Sequence, residues 1–134
     1  MSDKLHFSLV SPARELFSGE VDHVIAPGTD GEFGVLVNHA PFMTTLKNGV
    51  VRVLDGETVS MRMFVRGGFA DVTAAGLTIL AEEAVDLSDV DTAKVDADIA
   101  AAREDMLKHG DDGQQGALQE QVDYLEALKD AVAA

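Results

Sequence analysis

Residues 55–65 read Asp-Gly-Glu-Thr-Val-Ser-Met-Arg-Met-Phe-Val and join a turn signal to a run with an apolar residue at every second position. In an extended chain, alternate residues point to the same side, so the apolar residues from Val59 to Val65 share one face. Asp55-Gly56 predicts a two-residue hairpin turn, because Asp and Gly both tolerate the positive φ that such turns require. The stretch therefore predicts a half-buried strand that follows a tight turn.

The same period of two extends in both directions, from Lys4 to Leu80. Turn dipeptides interrupt it at short intervals. They are Ser18-Gly19, Pro27-Gly28, Asn48-Gly49, Asp55-Gly56, Gly67-Gly68 and Ala75-Gly76. About eight to ten short strands in ~85 residues are too many for one flat sheet, which predicts a sandwich or a flattened barrel.

A helical period replaces the strand period after Asp86. Ser88 is the predicted cap of the first helix. The apolar stripe of this helix consists of Val95, Ile99, Ala102 and Met106. Residues 109–113, His-Gly-Asp-Asp-Gly, end the helix, and a second stripe follows with Leu118, Val122, Leu125 and Val132. The pattern predicts a strand-rich domain over residues 1–86 and an antiparallel two-helix hairpin over residues 87–134.

Composition narrows the possible partners. The 24 acidic and 10 basic side chains give a formal net charge of −14, which disfavours binding to nucleic acid and direct binding to anionic lipid. The chain has no cysteine, so disulfides and thiolate metal sites are excluded. Its first residues lack the apolar run of a signal peptide, and no segment has the roughly 20 apolar residues of a membrane span. A soluble, cytoplasmic protein is expected.

No grouping of residues favours catalysis, a metal or a cofactor. Glu82 and Glu83 are neighbours on a predicted strand, so their carboxylates point to opposite faces and do not form an acid and base pair. None of the four histidines lies four residues from another, which disfavours a zinc site. The glycine-rich residues 27–34 lack the Lys and Ser or Thr that complete a phosphate-binding loop, and turn-forming glycines are the preferred interpretation.

Several motifs resemble the ε subunit family of bacterial and organellar F-type ATP synthases. The most characteristic is Pro27-Gly28-x-x-Gly31-Glu32-Phe33-Gly34-Val35-Leu36-x-x-His39-Ala40-Pro41. The opening segment from Leu9 to Val21, with its Phe-Ser-Gly turn, and the segments 67–72 and 77–82 also match, in the family's order and at its separations. The resemblance spans nearly all of the strand-rich half.

This resemblance implies a β + α fold, a ten-stranded β-sandwich followed by a two-helix hairpin. It further implies a non-catalytic central-stalk subunit that binds the γ subunit and the ring of c subunits and couples their rotation. The ring-facing loop would consist of Asp30, Gly31, Glu32 and Phe33. The γ-facing surface would consist of His39, Ala40, Pro41, Phe42 and Met43 together with Leu16 and Phe17, which we expect nearby. The subunit would lie on the cytoplasmic side of the bacterial inner membrane.

Two regulatory features of the family concern the hairpin. Some relatives bind ATP at the hairpin through a short sequence pattern. The nearest counterpart of that pattern in this chain contains Asp91 and Lys94, with lysine in place of the family's arginine. In relatives that inhibit ATP hydrolysis, the second helix extends into the α/β head and meets an acidic segment. The second helix here is itself acidic, which predicts weak inhibition or none.

Two other functions remain open at this point. One is a regulatory subunit whose hairpin extends to block hydrolysis. The other is a free-standing sandwich that binds a small ligand, although the chain has no Trp and its aromatic residues are scattered along the sequence.

Overall fold

The computed structural model describes residues 4–109 and 115–133, excluding the side chains of His109 and Gln115. The ten strands, in chain order, are β1 (Leu5–Val10), β2 (Glu15–Val21), β3 (His23–Gly28), β4 (Gly31–Leu36), β5 (Phe42–Thr45), β6 (Gly49–Asp55), β7 (Thr58–Arg66), β8 (Phe69–Thr73), β9 (Gly76–Leu80) and β10 (Glu83–Asp86). A one-turn 3₁₀ helix (Leu87–Asp89), α1 (Thr92–His109) and α2 (Gln115–Ala133) follow. The predicted fold class, a ten-stranded sandwich followed by two helices, is confirmed.

The chain divides into two compact units between Asp86 and Leu87. The first unit consists of two five-stranded sheets. Sheet A has the strand order β2-β1-β9-β8-β5, and sheet B has the order β10-β7-β6-β3-β4. All neighbouring strands are antiparallel except β1 and β9, which run parallel and bring the first and ninth strands together inside sheet A.

Alternate residues of the two sheets meet in one apolar core, as the period of two predicts. On β1, for example, Leu5, Phe7 and Leu9 are all at least 97% buried, while His6 is exposed. The facing sheet contributes Val24, Val35, Val51 and Val65, each with no exposed surface. Phe17 packs on this core from β2, with its ring centroid 5.6 Å from that of Phe7.

The turn between β6 and β7 lies one residue further along the chain than expected. Asp55 pairs with Thr58, so the two loop residues are Gly56 and Glu57. Only Gly56 has positive φ (65°) among these residues. The prediction that Asp55 and Gly56 form the turn is therefore wrong, because glycine, which tolerates positive φ best, takes the first of the two loop positions.

The second unit is a hairpin of antiparallel helices. Asp96 contacts Lys129 and Arg103 contacts Glu126, so residues further along α1 meet residues earlier in α2. Of the predicted stripes, Val95, Ile99, Ala102, Val122 and Leu125 are buried, and Met106, Leu118 and Val132 are half-buried. Leu128 and Ala131 are also buried, although the predicted stripe did not include them. Of the segment 109–113 that was predicted to end the first helix, His109 is the last residue of α1, and residues 110–113 lie outside the described residues.

The prediction that Ser88 caps the first helix is wrong. Asp91 is the cap, because its Oδ1 accepts hydrogen bonds from the backbone N–H groups of Ala93 (3.0 Å) and Lys94 (3.4 Å). Ser88 lies instead in the 3₁₀ turn that precedes the helix. Within the described ranges, neither helix is long and apolar enough to cross a membrane.

Candidate functional site

The predicted ring-facing loop is the tight connection between β3 and β4. Gly28 pairs with Gly31, which leaves Thr29 and Asp30 as the two turn residues. A Cβ on Gly28 would lie 2.8 Å from the carbonyl oxygen of Gly31, and Gly31 itself has φ of 131°. Both glycines of the Gly-x-x-Gly motif are therefore required by the turn. Asp30 and Glu32 are exposed beside it, and Phe33 is half-buried.

The two acidic residues of this loop differ in their partners. Nη2 of Arg52, on β6, donates to both carboxylate oxygens of Glu32 at 2.9 Å each. Since β3 lies between β6 and β4, the arginine side chain crosses the outer face of β3 to reach Glu32. Asp30 makes no ion pair with any described residue. The loop thus presents one carboxylate in an ion pair and one that pairs with none of the described residues.

Three contacts attach this loop to β5, which belongs to the opposite sheet. The backbone N–H of Thr29 donates to the carbonyl of Thr45 at 3.1 Å, and the hydroxyl groups of the same residues are 3.0 Å apart. Phe33 and Phe42 have ring centroids 5.4 Å apart at an interplanar angle of 69°. The predicted ring-facing and γ-facing residues therefore meet at this edge-to-face aromatic pair.

The segment from His39 to Met43 forms the approach to β5. Its turn is closed by a hydrogen bond from the N–H of His39 to the carbonyl of Leu36 at 3.2 Å, and Asn38 in this turn has φ of 67°. Nδ1 of His39 lies 2.7 Å from the carbonyl oxygen of Ala40. Phe42 and Met43 are 43% and 67% exposed, so the segment presents apolar surface at the edge of sheet A.

Leu16 and Phe17 do not lie near that segment. They belong to β2, at the opposite edge of sheet A from β5. Four strand spacings of about 4.8 Å separate the two edges by about 19 Å. The expectation that they adjoin His39–Met43 is wrong, because β1, β9 and β8 pair between them, and a non-local pairing of this kind has no local sequence signal.

The structure adds two exposed apolar residues that were not predicted from the sequence. Phe69 on β8 is 51% exposed and Leu80 on β9 is 50% exposed, and they are direct cross-strand partners on the outer face of sheet A. Thr45 on β5 and Val10 on β1 continue the same row. An open hollow of about 660 Å³ lies against this row. The alternation along a strand could have predicted their exposure. A residue next to a buried one in the sequence points to the outer face of the sheet.

The candidate nucleotide residues lie at the start of α1. The Oδ1 atom of Asp91 is engaged by the helix backbone, and the side chain of Lys94 is exposed. Further along the hairpin, the ammonium of Lys129 lies 2.6 Å from Asp96. That hydrogen bond raises the pKa of Lys129 above its ordinary value. Nucleotide contact by Asp91 and Lys94 stays a prediction.

Comparison with known proteins agrees with the motifs. A family model described as the β-sandwich domain of the ATP synthase delta/epsilon chain matches residues 4–87. The ATP synthase epsilon chain of Hyphomonas neptunium is 66% identical over 134 residues, which cover 99% of each chain. That of Maricaulis maris is 52% identical over 134 residues, covering 100% of this chain and 99% of the relative.

A third relative is much shorter. The ATP synthase epsilon chain of Caulobacter vibrioides is 68% identical over 83 residues, which are 62% of this chain and 95% of that relative. Because 83 residues make up 95% of its length, it is about 87 residues long. A chain of that length is far short of the 134 residues that hold both units here.

Solved structures share the fold. A chain in the mitochondrial ATP synthase of Euglena gracilis superposes with a TM-score of 0.81 at 22% identity, covering 98% of this chain and 83% of that one. A chain in the central stalk and c-ring structure from Tetrahymena thermophila gives a TM-score of 0.62 at 15% identity, covering 98% of both. With a family model over the whole sandwich and full-length relatives above half identity, the chain belongs to the family of ATP synthase epsilon chains.

Proposed function

We propose that this chain is a non-catalytic rotor subunit of a proton-translocating ATP synthase, where it couples rotation of the c-ring to the γ subunit. The observation that carries the proposal is the contact between Phe33 and Phe42, at 5.4 Å, which joins the two predicted surfaces within one sandwich. A part that transmits torque must hold its contact surfaces in a fixed relation, and a densely packed core suits that task.

For the ring, we propose the β3–β4 loop from Asp30 to Phe33. The loop is exposed, its turn requires glycine at two positions, and the hydrogen bonds between Thr29 and Thr45 hold its backbone. It carries the unpaired carboxylate of Asp30, which favours a partner with a cationic group. The similar chains from Euglena gracilis and Tetrahymena thermophila both come from assemblies that contain a c-ring, which also supports this assignment.

For γ, we propose the edge and outer face of sheet A. His39, Ala40, Pro41, Phe42 and Met43 form the edge. Phe69 and Leu80 extend the apolar surface over β8 and β9. Exposed apolar side chains in one patch are typical of a protein interface. Leu16 and Phe17 fall outside this patch, because they lie at the far edge of the sheet and pack on the core.

The hairpin is not required for this role in our proposal. The short Caulobacter vibrioides relative bears the name epsilon chain with about 87 residues, which supports a function that the sandwich alone performs. Glu120, Asp123, Glu126 and Asp130 make α2 acidic against a single Lys129, which opposes docking on an acidic segment of the catalytic head. Regulation by an extended hairpin is the second candidate function, and the ligand-binding sandwich is set aside because of the family membership.

A direct test replaces Met43 and Phe69 together by Asp and measures recovery of γ and c subunits with a tagged chain from membranes. Burying two carboxylates in an apolar interface is costly, so recovery should fall at least about tenfold. Val59→Asp is the matched control, because Val59 is also an exposed apolar residue (44%) but lies on sheet B. Full recovery with the double variant, or equal loss with the control, would refute the proposed γ surface.

If the proposal holds, the subunit is associated with the membrane through its partners, on the cytoplasmic side. Recovery in the membrane fraction should then depend on γ and the ring. In a strain that lacks γ, the chain should move to the soluble fraction. Membrane recovery that is unchanged without γ and c subunits would contradict this location.

A further inference from the structure

The side chain of Arg52 has an arrangement that fold stability alone does not explain. It extends over β3 to hold Glu32 through one nitrogen, Nη2, at equal distances of 2.9 Å from both oxygens. The pair is 35% and 55% exposed, and ion pairs at such exposure contribute little to stability. Within the described part of the chain, the buried Nε of Arg52 has no hydrogen-bond acceptor, which is a cost.

The ion pair between Arg52 and Glu32 affects the β3–β4 loop. Glu32 is the second residue of β4 and closely follows the turn that carries Asp30. An unrestrained glutamate samples many rotamers, and each partner contact would have to order it. Bound to Arg52, the carboxylate is held in one place before any partner arrives, and its charge is cancelled locally.

We propose that Arg52 is a positioning residue of the ring-facing loop, which holds Glu32 so that the loop meets its partner with a fixed acceptor beside the free charge of Asp30. This inference rests on the proposed function, because it assigns the role to the surface proposed for the ring. The remaining lone pairs of Glu32 accept hydrogen bonds from the partner, and Asp30 is the residue left to pair with a cation. Specificity for the ring then depends on Arg52 although Arg52 need not touch it.

The test is a double-mutant cycle on the affinity of the full chain for a purified γ–c-ring subcomplex in detergent. Glu32→Gln removes the carboxylate charge, and Arg52→Gln removes the group that holds it. We expect Arg52→Gln to weaken binding about fivefold, since one charged hydrogen bond of the complex loses its preorganised acceptor. In the Glu32→Gln background the same change should have less than about a twofold effect, because Arg52 acts through Glu32.

Arg52→Lys provides a second variant that keeps the positive charge on β6. Lysine lacks the planar guanidinium, so we expect Arg52→Lys to weaken binding about twofold when Glu32 is present. In the Glu32→Gln background it should have no effect. The matched control is Arg66→Gln, which breaks a similar arginine–carboxylate pair with Glu83, 3.8 Å apart, at the β10 edge of the same sheet. Its affinity should equal that of the wild type.

The outcomes separate this inference from the proposed function. If the unchanged chain does not bind the subcomplex, both the proposed function and the inference fail. If it binds, and the effects of Arg52→Gln and Glu32→Gln simply add, Arg52 acts independently and the inference alone is overturned. The inference is likewise overturned if both Arg52 variants bind like the wild type. A salt series supplies a further readout, because Arg52→Gln frees a carboxylate and should make binding more dependent on salt.

Discussion

The sandwich and the hairpin differ in how deeply their apolar side chains are buried. In the sandwich, side chains such as Phe7, Leu9 and Val35 have no exposed surface, and strands distant in sequence surround them. In the hairpin, the buried positions lie in one narrow stripe on each helix, and Leu125 and Leu128 keep 8% and 7% exposure. Ion pairs such as Asp96–Lys129 and Arg103–Glu126 flank these stripes.

Because of this difference, we expect the sandwich to be more rigid and the hairpin to be more sensitive to salt. Apolar packing is insensitive to moderate salt, whereas exposed ion pairs are screened by it. The hairpin also has more net charge, with 12 acidic and 4 basic residues in 87–134 (net −8) against 12 and 6 in 1–86 (net −6). Both surfaces proposed for torque transmission lie on the first unit.

The aromatic residues allow the two units to be followed separately. The one tyrosine is Tyr124 in α2, and the chain has no tryptophan. All six phenylalanines precede residue 87. Tyrosine fluorescence therefore reports on the hairpin, and the near-ultraviolet circular dichroism of phenylalanine reports on the sandwich.

The largest expected effect compares the same substitution in both units. Leu9→Ala opens a cavity in a core position with 0% exposure and should lower the free energy of unfolding of the sandwich by about 4 kcal/mol. Leu125→Ala, at 8% exposure, should cost the hairpin about 2 kcal/mol, since the site is narrower and closer to solvent. Urea unfolding followed by the two spectroscopic signals measures both. Equal losses would contradict the difference in packing.

Replacing one glycine in each unit by alanine should change the stability of the two units in opposite directions. Gly68 has φ of 117°, and an added Cβ would lie 2.0 Å from the carbonyl oxygen of Leu80, so Gly68→Ala should destabilise the sandwich by about 3 kcal/mol. Gly116 in α2 has open space around it, and Gly116→Ala should stabilise the hairpin by about 0.5 kcal/mol. Thermal unfolding of the two variants gives the answer. A tolerated alanine at position 68 would show that the strand junction can rearrange.

A smaller effect is expected from pH on the sandwich. The N–H of Gly56, 2.6 Å from Asp22, and then Lys4, at 3.3 Å, lower the pKa of Asp22. The stabilisation is present above the unfolded-state pKa of about 4 and is lost as pH falls through the lower folded-state pKa. Asp22→Asn should therefore lower the melting temperature at pH 7, and this difference should vanish in strong acid. A difference that persists there would exclude the carboxylate as its cause.

The smallest effect is expected at alkaline pH in the hairpin. Asp96 raises the pKa of Lys129, so the stabilising pair is complete below the ordinary lysine pKa of 10.5 and is lost as pH rises through the higher folded value. Urea unfolding followed by the far-ultraviolet circular dichroism of the two helices should show a slightly less stable hairpin above about pH 10.5. Lys129→Met should reduce this dependence on pH, and an unchanged dependence would assign it to other groups.

Local patterns in the sequence predicted most strands and helices of the fold, but they did not predict which strands lie side by side in the sheets. The alternation from Val59 to Val65 and the helical spacing from Val95 to Met106 each depend on nearby residues, and both predicted the observed element. The turn at Gly56 and the cap at Asp91 lie one and three residues beyond their predicted positions, because glycine takes the first loop position of the turn and a 3₁₀ turn precedes the helix.

For the candidate site, too, local features were predictable from the sequence and contacts between distant residues were not. The Gly-x-x-Gly turn follows from local backbone requirements, so the loop from Asp30 to Phe33 could be selected from the sequence. The bridge from Arg52 to Glu32 spans three strands, and the contact of Phe33 with Phe42 joins two sheets. Neither has a local signal, and the separation of Phe17 from Met43 likewise depends on strand order.

In the proposed function, the sandwich alone connects the ring to γ. The most direct measurement is proton pumping driven by ATP hydrolysis in reconstituted complexes that contain the full chain, residues 1–86 alone, or no such chain. We predict equal pumping per ATP hydrolysed with the full chain and with residues 1–86, and uncoupled hydrolysis without the chain. Tight coupling in its absence, or loss of coupling with residues 1–86, would refute this role, and a large rise in hydrolysis on truncation would show that the hairpin inhibits.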